Sequence, residues 1–417
     1  MTEAGRGLPD AACVAYYRTI RAHTTPAAAQ IGHGVNRRPP HPGVRQWFEA
    51  LYADVLAGRV TDYEDSSDER ERALVADLAA DYLGLGGLGP EHVVLCNGTT
   101  EAISIVLGYA ARAGMAAVLP LPVYCSFEQS AVRHGVPVAG YHSLSGRTWS
   151  APEWPGPRLL VDIAPNGVIG GWAAPAFGGR AHEADLRVVD HVFALPTFTP
   201  AARFHAELRG RVGDLERTAV LLSPSKDLSV PGLRCGTVVT RHPGLLAYAR
   251  ADRFERGYSV QAGLPRLAAA HLALLISAFD PASTVGHDRF RAAGLPAPGP
   301  GLLAGFAAHM TRMRVEFGRV ADLIDHSGLF RPMDGPGSAA GYSGMRRLDR
   351  VFPSAEVFTD WVREAGRAGL KLNPNYLFGG DEDLWEQLYP GQHGIRVNYS
   401  TPLDEVGAAL DLLRRLL

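Results

Sequence analysis

Ser223-Pro224-Ser225-Lys226, followed by Pro231-Gly232-Leu233-Arg234, stands directly after an apolar run, Ala219–Leu222. Lys226 is one of two lysines among 41 basic residues; the other is Lys371, and every remaining cation is arginine. Guanidinium stays protonated in proteins and is a poor amine nucleophile. A lysine amine shifts its pKa and forms Schiff bases. Two serines and an arginine eight residues on suit a phosphate dianion, while the lysine amine suits attack on an aldehyde. Lys226 is therefore a candidate covalent anchor. Lys371, in Leu370-Lys371-Leu372-Asn373-Pro374-Asn375, has no such neighbours and reads as a surface lysine.

Upstream of Lys226, short apolar runs alternate with helix-sized intervals. They are His92–Cys96, Met115–Leu119, Pro137–Tyr141, Leu159–Ile163, Arg187–Asp190 and Ala219–Leu222, with Cys235–Thr240 beyond. Such alternation predicts an α/β fold with a mostly parallel sheet wrapped by helices. Ligands of such sheets bind beyond the carboxyl ends of the strands, and the marked residues fall there. Asn97-Gly98-Thr99-Thr100-Glu101 opens a helix with backbone N–H groups and two hydroxyls, a phosphate cradle or an ordinary cap. Pro122-Val123-Tyr124 offers a ring, for stacking or for the core. Pro165-Asn166-Gly167 offers an amide, or a plain turn. Asp190 closes an apolar strand, where a carboxylate is costly without a partner; a pyridinium N–H would be one, a helix cap another use.

In this order the motifs resemble the aminotransferase class I/II family, the fold-type I pyridoxal 5'-phosphate enzymes. The resemblance runs from Tyr63 to Gly394-Ile395-Arg396-Val397-Asn398-Tyr399-Ser400. It implies a large cofactor-binding domain over 46–300 and a small α+β unit from 1–45 plus 301–417. It implies pyridoxal 5'-phosphate, with Lys226 as covalent anchor and proton shuttle and Asp190 on the ring nitrogen. Tyr124 would stack on the ring, and Gly98, Thr99, Thr100, Ser223, Ser225 and Arg234 would hold the phosphate. It also implies a homodimer with shared sites, Tyr63 reaching the partner's phosphate. Arg396 would grip the α-carboxylate of an amino-acid-like substrate, a bidentate task for guanidinium. Gly34, in the extended segment Ile31–Arg38, joins Arg396 on the substrate side.

Two departures concern the cofactor's 3'-oxygen. Phe193 stands where the family carries a tyrosine, and Gly167 where it carries an asparagine, with Asn166 one residue earlier. Phe193–Pro200 also looks a little like the aromatic-Pro-Thr stretch of the alliinase and tryptophan aminotransferase branch, of which the alliinases cleave C–S bonds. The expected reaction is transamination. The alternative is β-elimination or oxidative decarboxylation or deamination. A regulator on this fold would carry a DNA-binding extension, for which the first 45 residues are too short and proline-rich.

Elsewhere the chain is plain. Net charge is −2 over 417 residues and the pI is near 6.7, which argues against nucleic acid or an anionic membrane as partner. With no apolar run of spanning length and no leader pattern, a cytoplasmic protein is expected. Four cysteines and 15 histidines show no metal-ligand spacing, and Cys96 and Cys235 read as core. Ser66-Ser67-Asp68-Glu69 reads as a capping box before a helix whose apolar face is Leu74, Val75, Leu78, Tyr82 and Leu83. Residues 244–285 read as long helices, Ala292–Leu303 as the domain boundary, and 403–417 as a closing amphipathic helix.

Overall fold

The structure, a computed structural model, describes residues 10–25, 29–58, 69–143, 156–172, 184–256, 261–333 and 340–417. Among the described residues twelve strands run β1 Ala29–Gln30, β2 Val93–Cys96, β3 Ala116–Leu121, β4 Val138–His142, β5 Arg158–Ile163, β6 Leu186–His191, β7 Thr218–Leu222, β8 Gly236–Thr240, β9 Phe330–Pro332, β10 Ser343–Leu348, β11 Leu370–Lys371 and β12 Gly394–Asn398. Strands β2 to β8 form one seven-stranded sheet in the order β2-β8-β7-β6-β5-β3-β4. All pairs from β4 to β7 are parallel, and β8 alone runs against its neighbours. Each predicted run is a strand, within two residues at either end. Valine, leucine and isoleucine dominate these strands, and all but Val138 on the edge strand β4 are buried, as a sheet covered by helices requires.

Helices Glu69–Leu83, Thr99–Arg112 and Leu264–Phe279 bury much of their surface against this core. The five apolar positions expected on the first of them are buried, as are Cys96 and Cys235. Ser66, Ser67 and Asp68 lie outside the described residues. Leu264–Phe279 is enclosed nearly all round, and its one cation, Arg266, is paired inside the fold. Its guanidinium donates to Glu71 at 2.9 Å and to Asp54. The helix that carries Asp54, Pro42–Gly58, was not anticipated; its first turn lacks any acidic cap signal.

The 26-residue helix Pro300–Asp325 begins inside the segment expected to divide the chain. Its first turn is tied back by Ser277, whose hydroxyl donates to the Leu303 carbonyl at 2.9 Å. Beyond it, β9, β10 and β12 make a three-stranded antiparallel sheet. β1 pairs with β11 in parallel, so a strand from the beginning of the chain completes this later part. No described helix is long and apolar enough to cross a membrane.

Candidate active site

The carboxyl edge of the parallel sheet sets the site. Strand β2 delivers Asn97-Gly98, β3 delivers Pro122-Val123-Tyr124, β5 the Asn166 loop, β6 Asp190 and β7 Ser223. Because β8 is reversed, its entry residue Arg234 reaches the same edge. Of these, Tyr124, Asn166, Asp190 and Arg234 line one cavity of roughly 420 Å³, together with Thr99, Thr100, Gly34, Phe193, Lys226 and Arg396.

At one end, Gly98 adopts φ +87° before the helix Thr99–Arg112. A Cβ there would lie 2.6 Å from Arg234 Nη2, and the positive φ favours glycine, so the guanidinium comes close to the bare backbone. Arg234 is itself left-handed at φ 49°, donates to the Asn97 carbonyl at 3.3 Å, and is exposed. The first amides of a helix have no intrahelical acceptor, so Thr99 and Thr100 present N–H groups beside that cation. Ser225 lines the cavity. Ser223 stands behind it: its hydroxyl donates to the Cys235 carbonyl at 2.7 Å and accepts the Ser225 N–H at 3.2 Å. Ser223, expected among the phosphate-holding side chains, thus has its buried hydroxyl committed within the loop.

In the middle, Asp190 is buried and its Oδ1 has no hydrogen-bond partner. Burial pushes its carboxyl up to about 7, against a smaller lowering by Lys226. Lys226 Nζ donates to the Gly34 carbonyl at 2.5 Å. Burial lowers its amine to about 8, aided by Arg396 and Arg234 and opposed by Asp190. Such an amine keeps a far larger neutral fraction near physiological pH than an ordinary lysine, and nucleophilic attack needs the neutral form.

A buried network, unmarked in the sequence, holds these two in place. The residue after Asp190, His191, accepts at Nε2 from the Tyr82 hydroxyl at 2.7 Å and donates from Nδ1 to the Ala164 carbonyl. The carbonyl cannot donate, which fixes the neutral tautomer. The residue after Lys226, Asp227, accepts the Leu195 N–H at 3.0 Å and bonds His271 Nε2 at 2.9 Å. Both anchors are invisible locally because their partners lie far away in sequence.

Asn166 is fully buried. Its side chain donates to the Pro122 carbonyl at 2.8 Å and accepts the Val168 N–H at 2.9 Å. It joins two loops, with one amide N–H left over on the cavity wall. Phe193 packs over Gly167 and lies with Lys226 Nζ 6.0 Å from its ring centre. Tyr124 is 43% exposed on the rim.

At the far end, half-buried Arg396 donates to the Gly32 carbonyl at 2.9 Å and sits 4.8 Å over the Phe378 ring. Its buried Nε has no partner. The Ile31–Arg38 segment is stitched beside it: Asn398 donates to the His33 and Val35 carbonyls at 2.8 and 2.9 Å. Gly34 faces the guanidinium, a Cβ there falling 3.1 Å from Nη2. Tyr63 lies outside the described residues. Lys371, expected on the surface, lines the cavity instead, with Gln30 and Tyr17. The pairing of β11 with β1 turns it inward; its rarity in the composition was the available signal.

Solved aminotransferases superpose along nearly the whole chain. N-succinyldiaminopimelate aminotransferase from Mycobacterium tuberculosis matches with TM-score 0.69 and 19% identity, covering 98% of each chain. A mutant aspartate aminotransferase from Thermus thermophilus matches with TM-score 0.68 and 16% identity, over 100% of this chain and 99% of that one. The fold is that of the fold-type I aminotransferases. Sequence likeness is thinner, and no family model matches the chain. The human 1-aminocyclopropane-1-carboxylate synthase-like protein 1 is 26% identical over 258 residues, half of this chain and 49% of that protein. Its Bos taurus counterpart is 27% identical over 186 residues, 37% of this chain and 36% of that protein. The chain thus spans about half, or less, of the length of these relatives. In the aminotransferase fold the cavity sits where the sheet's carboxyl edge meets the later, mostly antiparallel part of the chain.

Proposed function

We propose that the chain is a pyridoxal 5'-phosphate enzyme of aminotransferase type acting on an α-amino acid or an amino-acid-derived intermediate. The observation that carries this is the pair Asp190 and Lys226 on one cavity. A buried carboxylate oxygen without a partner is costly, and a protonated ring nitrogen satisfies it. When bound, pyridoxal phosphate supplies an electron sink for the substrate α-carbon. The cradle around Gly98 fits its phosphate: Thr99, Thr100, Ser225 and Arg234 converge there, and a Cβ at Gly98 would fill it.

The protein's own groups have distinct tasks. Asp190 would face the ring nitrogen and favour its protonated form. Lys226 would supply the amine for the aldehyde and a base for the α-carbon proton. Tyr124 would stack against the ring. The unpartnered Nε of Arg396 gives a carboxylate a donor beside Gly34. Thr100, Tyr124 and Arg234 are exposed in the single chain, which supports a homodimer in which a second copy walls this end, Tyr63 included. Light scattering of the purified protein tests the assembly.

A spectral titration with a panel of amino acids, on wild type and Lys226→Ala, tests the function. Wild type is expected to lose its visible band with the right amino donor and recover it with a keto acid. An unchanged visible band in Lys226→Ala would overturn the assignment. A second reading, elimination or oxidative decarboxylation or deamination, draws on Phe193 over Gly167, which puts an apolar ring where the family supplies a hydroxyl and an amide. Ammonia or pyruvate released without a keto acid, or oxygen uptake, would favour it; strict keto-acid dependence would sink it.

A further inference from the structure

The cavity wall carries four cations, Lys226, Arg234, Lys371 and Arg396, and one carboxylate, Asp190. The proposed function, on which this inference rests, employs three of the four. Lys226 is the covalent anchor, Arg234 meets the phosphate and Arg396 the α-carboxylate. Lys371 is left without a task. Among the described residues its side chain has no ion pair and no hydrogen bond; its ammonium lies 5.6 Å from the centre of the Tyr17 ring. The nearby acid Glu405 is already held by Arg37. In a chain that otherwise uses arginine, a lysine without an ion pair on the wall of a substrate cavity calls for an anion.

Its neighbours are built for one. In the parallel pair of β1 and β11, Gln30 is directly opposite Lys371, and both line the cavity. Residues opposite each other in a ladder share a face. A donor amide and an ammonium thus stand side by side, with Tyr17 as an aromatic wall. His33 is held neutral, its ring pushed down to about 4 by burial first, then by Arg37, with Lys371 and Arg396 adding to it against an opposing Glu405. Nothing from His33 therefore compensates, or competes with, the charge of Lys371.

We propose that the substrate carries a second carboxylate on its side chain, bound by Lys371 with Gln30, so that this end of the cavity selects acidic amino acids. One anion would sit at Arg396 and the other at Lys371, with an apolar linker between them.

The test uses the holoenzyme and two unreactive probes, glutarate and valerate, which differ by one carboxylate. Calorimetry is run on wild type, Lys371→Met and Lys371→Arg. Wild type should bind glutarate at least about tenfold more tightly than valerate, the usual effect of a hydrogen bond to a charged group. Lys371→Met should bring glutarate down to the level of valerate while valerate is unchanged, and Lys371→Arg should keep most of the preference. Equal affinities in wild type, a preference that survives Lys371→Met, or equal weakening of both probes would each overturn it. The cofactor's visible band, recorded on the same samples, reports separately on the proposed function: its absence would defeat that reading whatever the probes do.

Discussion

The ring of Phe193 occupies the space that a side chain at Gly167 would need: a Cβ there would fall 2.2 Å from Phe193 Cε2. The two departures from the family pattern are therefore one feature. Phe193 also packs against Tyr342, with ring centres 5.3 Å apart, and Ser343 donates to the Gly167 carbonyl. The loop is thus clamped between β6 and β10. Restoring the family's residues one at a time should be unequal. Phe193→Tyr adds only a hydroxyl at the ring tip and should fold. Gly167→Asn forces the ring to move and should cost about 1–3 kcal/mol, as overpacking does. A double variant, Gly167→Asn with Phe193→Ala, should recover part of that loss. Additive costs in the double-mutant cycle, measured by denaturant unfolding, would contradict the clamp.

Asp190 makes the cofactor-free protein pH-sensitive in a definite direction. Its folded pKa, about 7, lies above the ordinary aspartate value of 3.8 that the unfolded chain keeps. Between these the folded state binds more protons than the unfolded one, so this group's contribution falls as pH rises through that window. The thermal midpoint of cofactor-free wild type should fall relative to Asp190→Asn from about pH 4 to about pH 7. Adding pyridoxal phosphate should abolish the difference, since a ring N–H stabilises the ionised carboxylate. Parallel curves for the two cofactor-free proteins would count against an isolated carboxylate.

Lys226→Ala should remove the covalent link and the proton shuttle together. Loss of positioned proton transfer alone lowers turnover by about a hundredfold to ten-thousandfold. Lys226→Arg should be no better despite keeping the charge, because guanidinium neither attacks nor deprotonates. Absorbance of the purified variants and single-turnover rates check both; an active Lys226→Arg would remove the nucleophile from the argument.

Gly98→Ala should weaken phosphate binding without touching the chemistry. The added methyl meets Arg234, and a side chain at φ +87° is strained by on the order of 1–2 kcal/mol. Pyridoxal phosphate affinity should drop at least about tenfold, while affinity for pyridoxal without phosphate stays level. Equal losses for both ligands would point to general unfolding of the turn.

Arg396→Gln should raise the KM of any α-amino acid by about ten- to a hundredfold, the range for hydrogen bonds to a charged group. The visible band of the holoenzyme should be unaffected, because Arg396 lies beyond the ring. A lost band with unchanged KM would place Arg396 with the cofactor instead.

What the sequence determined by itself is local and ordered. Continuous apolar runs specify buried strands, and the residues at their carboxyl ends, Gly98, Tyr124, Asn166, Asp190 and Lys226, are brought to one edge by parallel topology alone. Tertiary structure decided what long-range pairing controls. Reversal of β8 carries Arg234 onto Gly98. The β1–β11 ladder turns Lys371 from an expected surface position into the cavity across more than three hundred residues. Ser223 and Ser225 look alike as neighbours in the chain, yet only Ser225 faces the cavity, because Cys235 takes the other hydroxyl. Periodicity records which face of an element is buried; it does not record which distant backbone or side chain will meet that face.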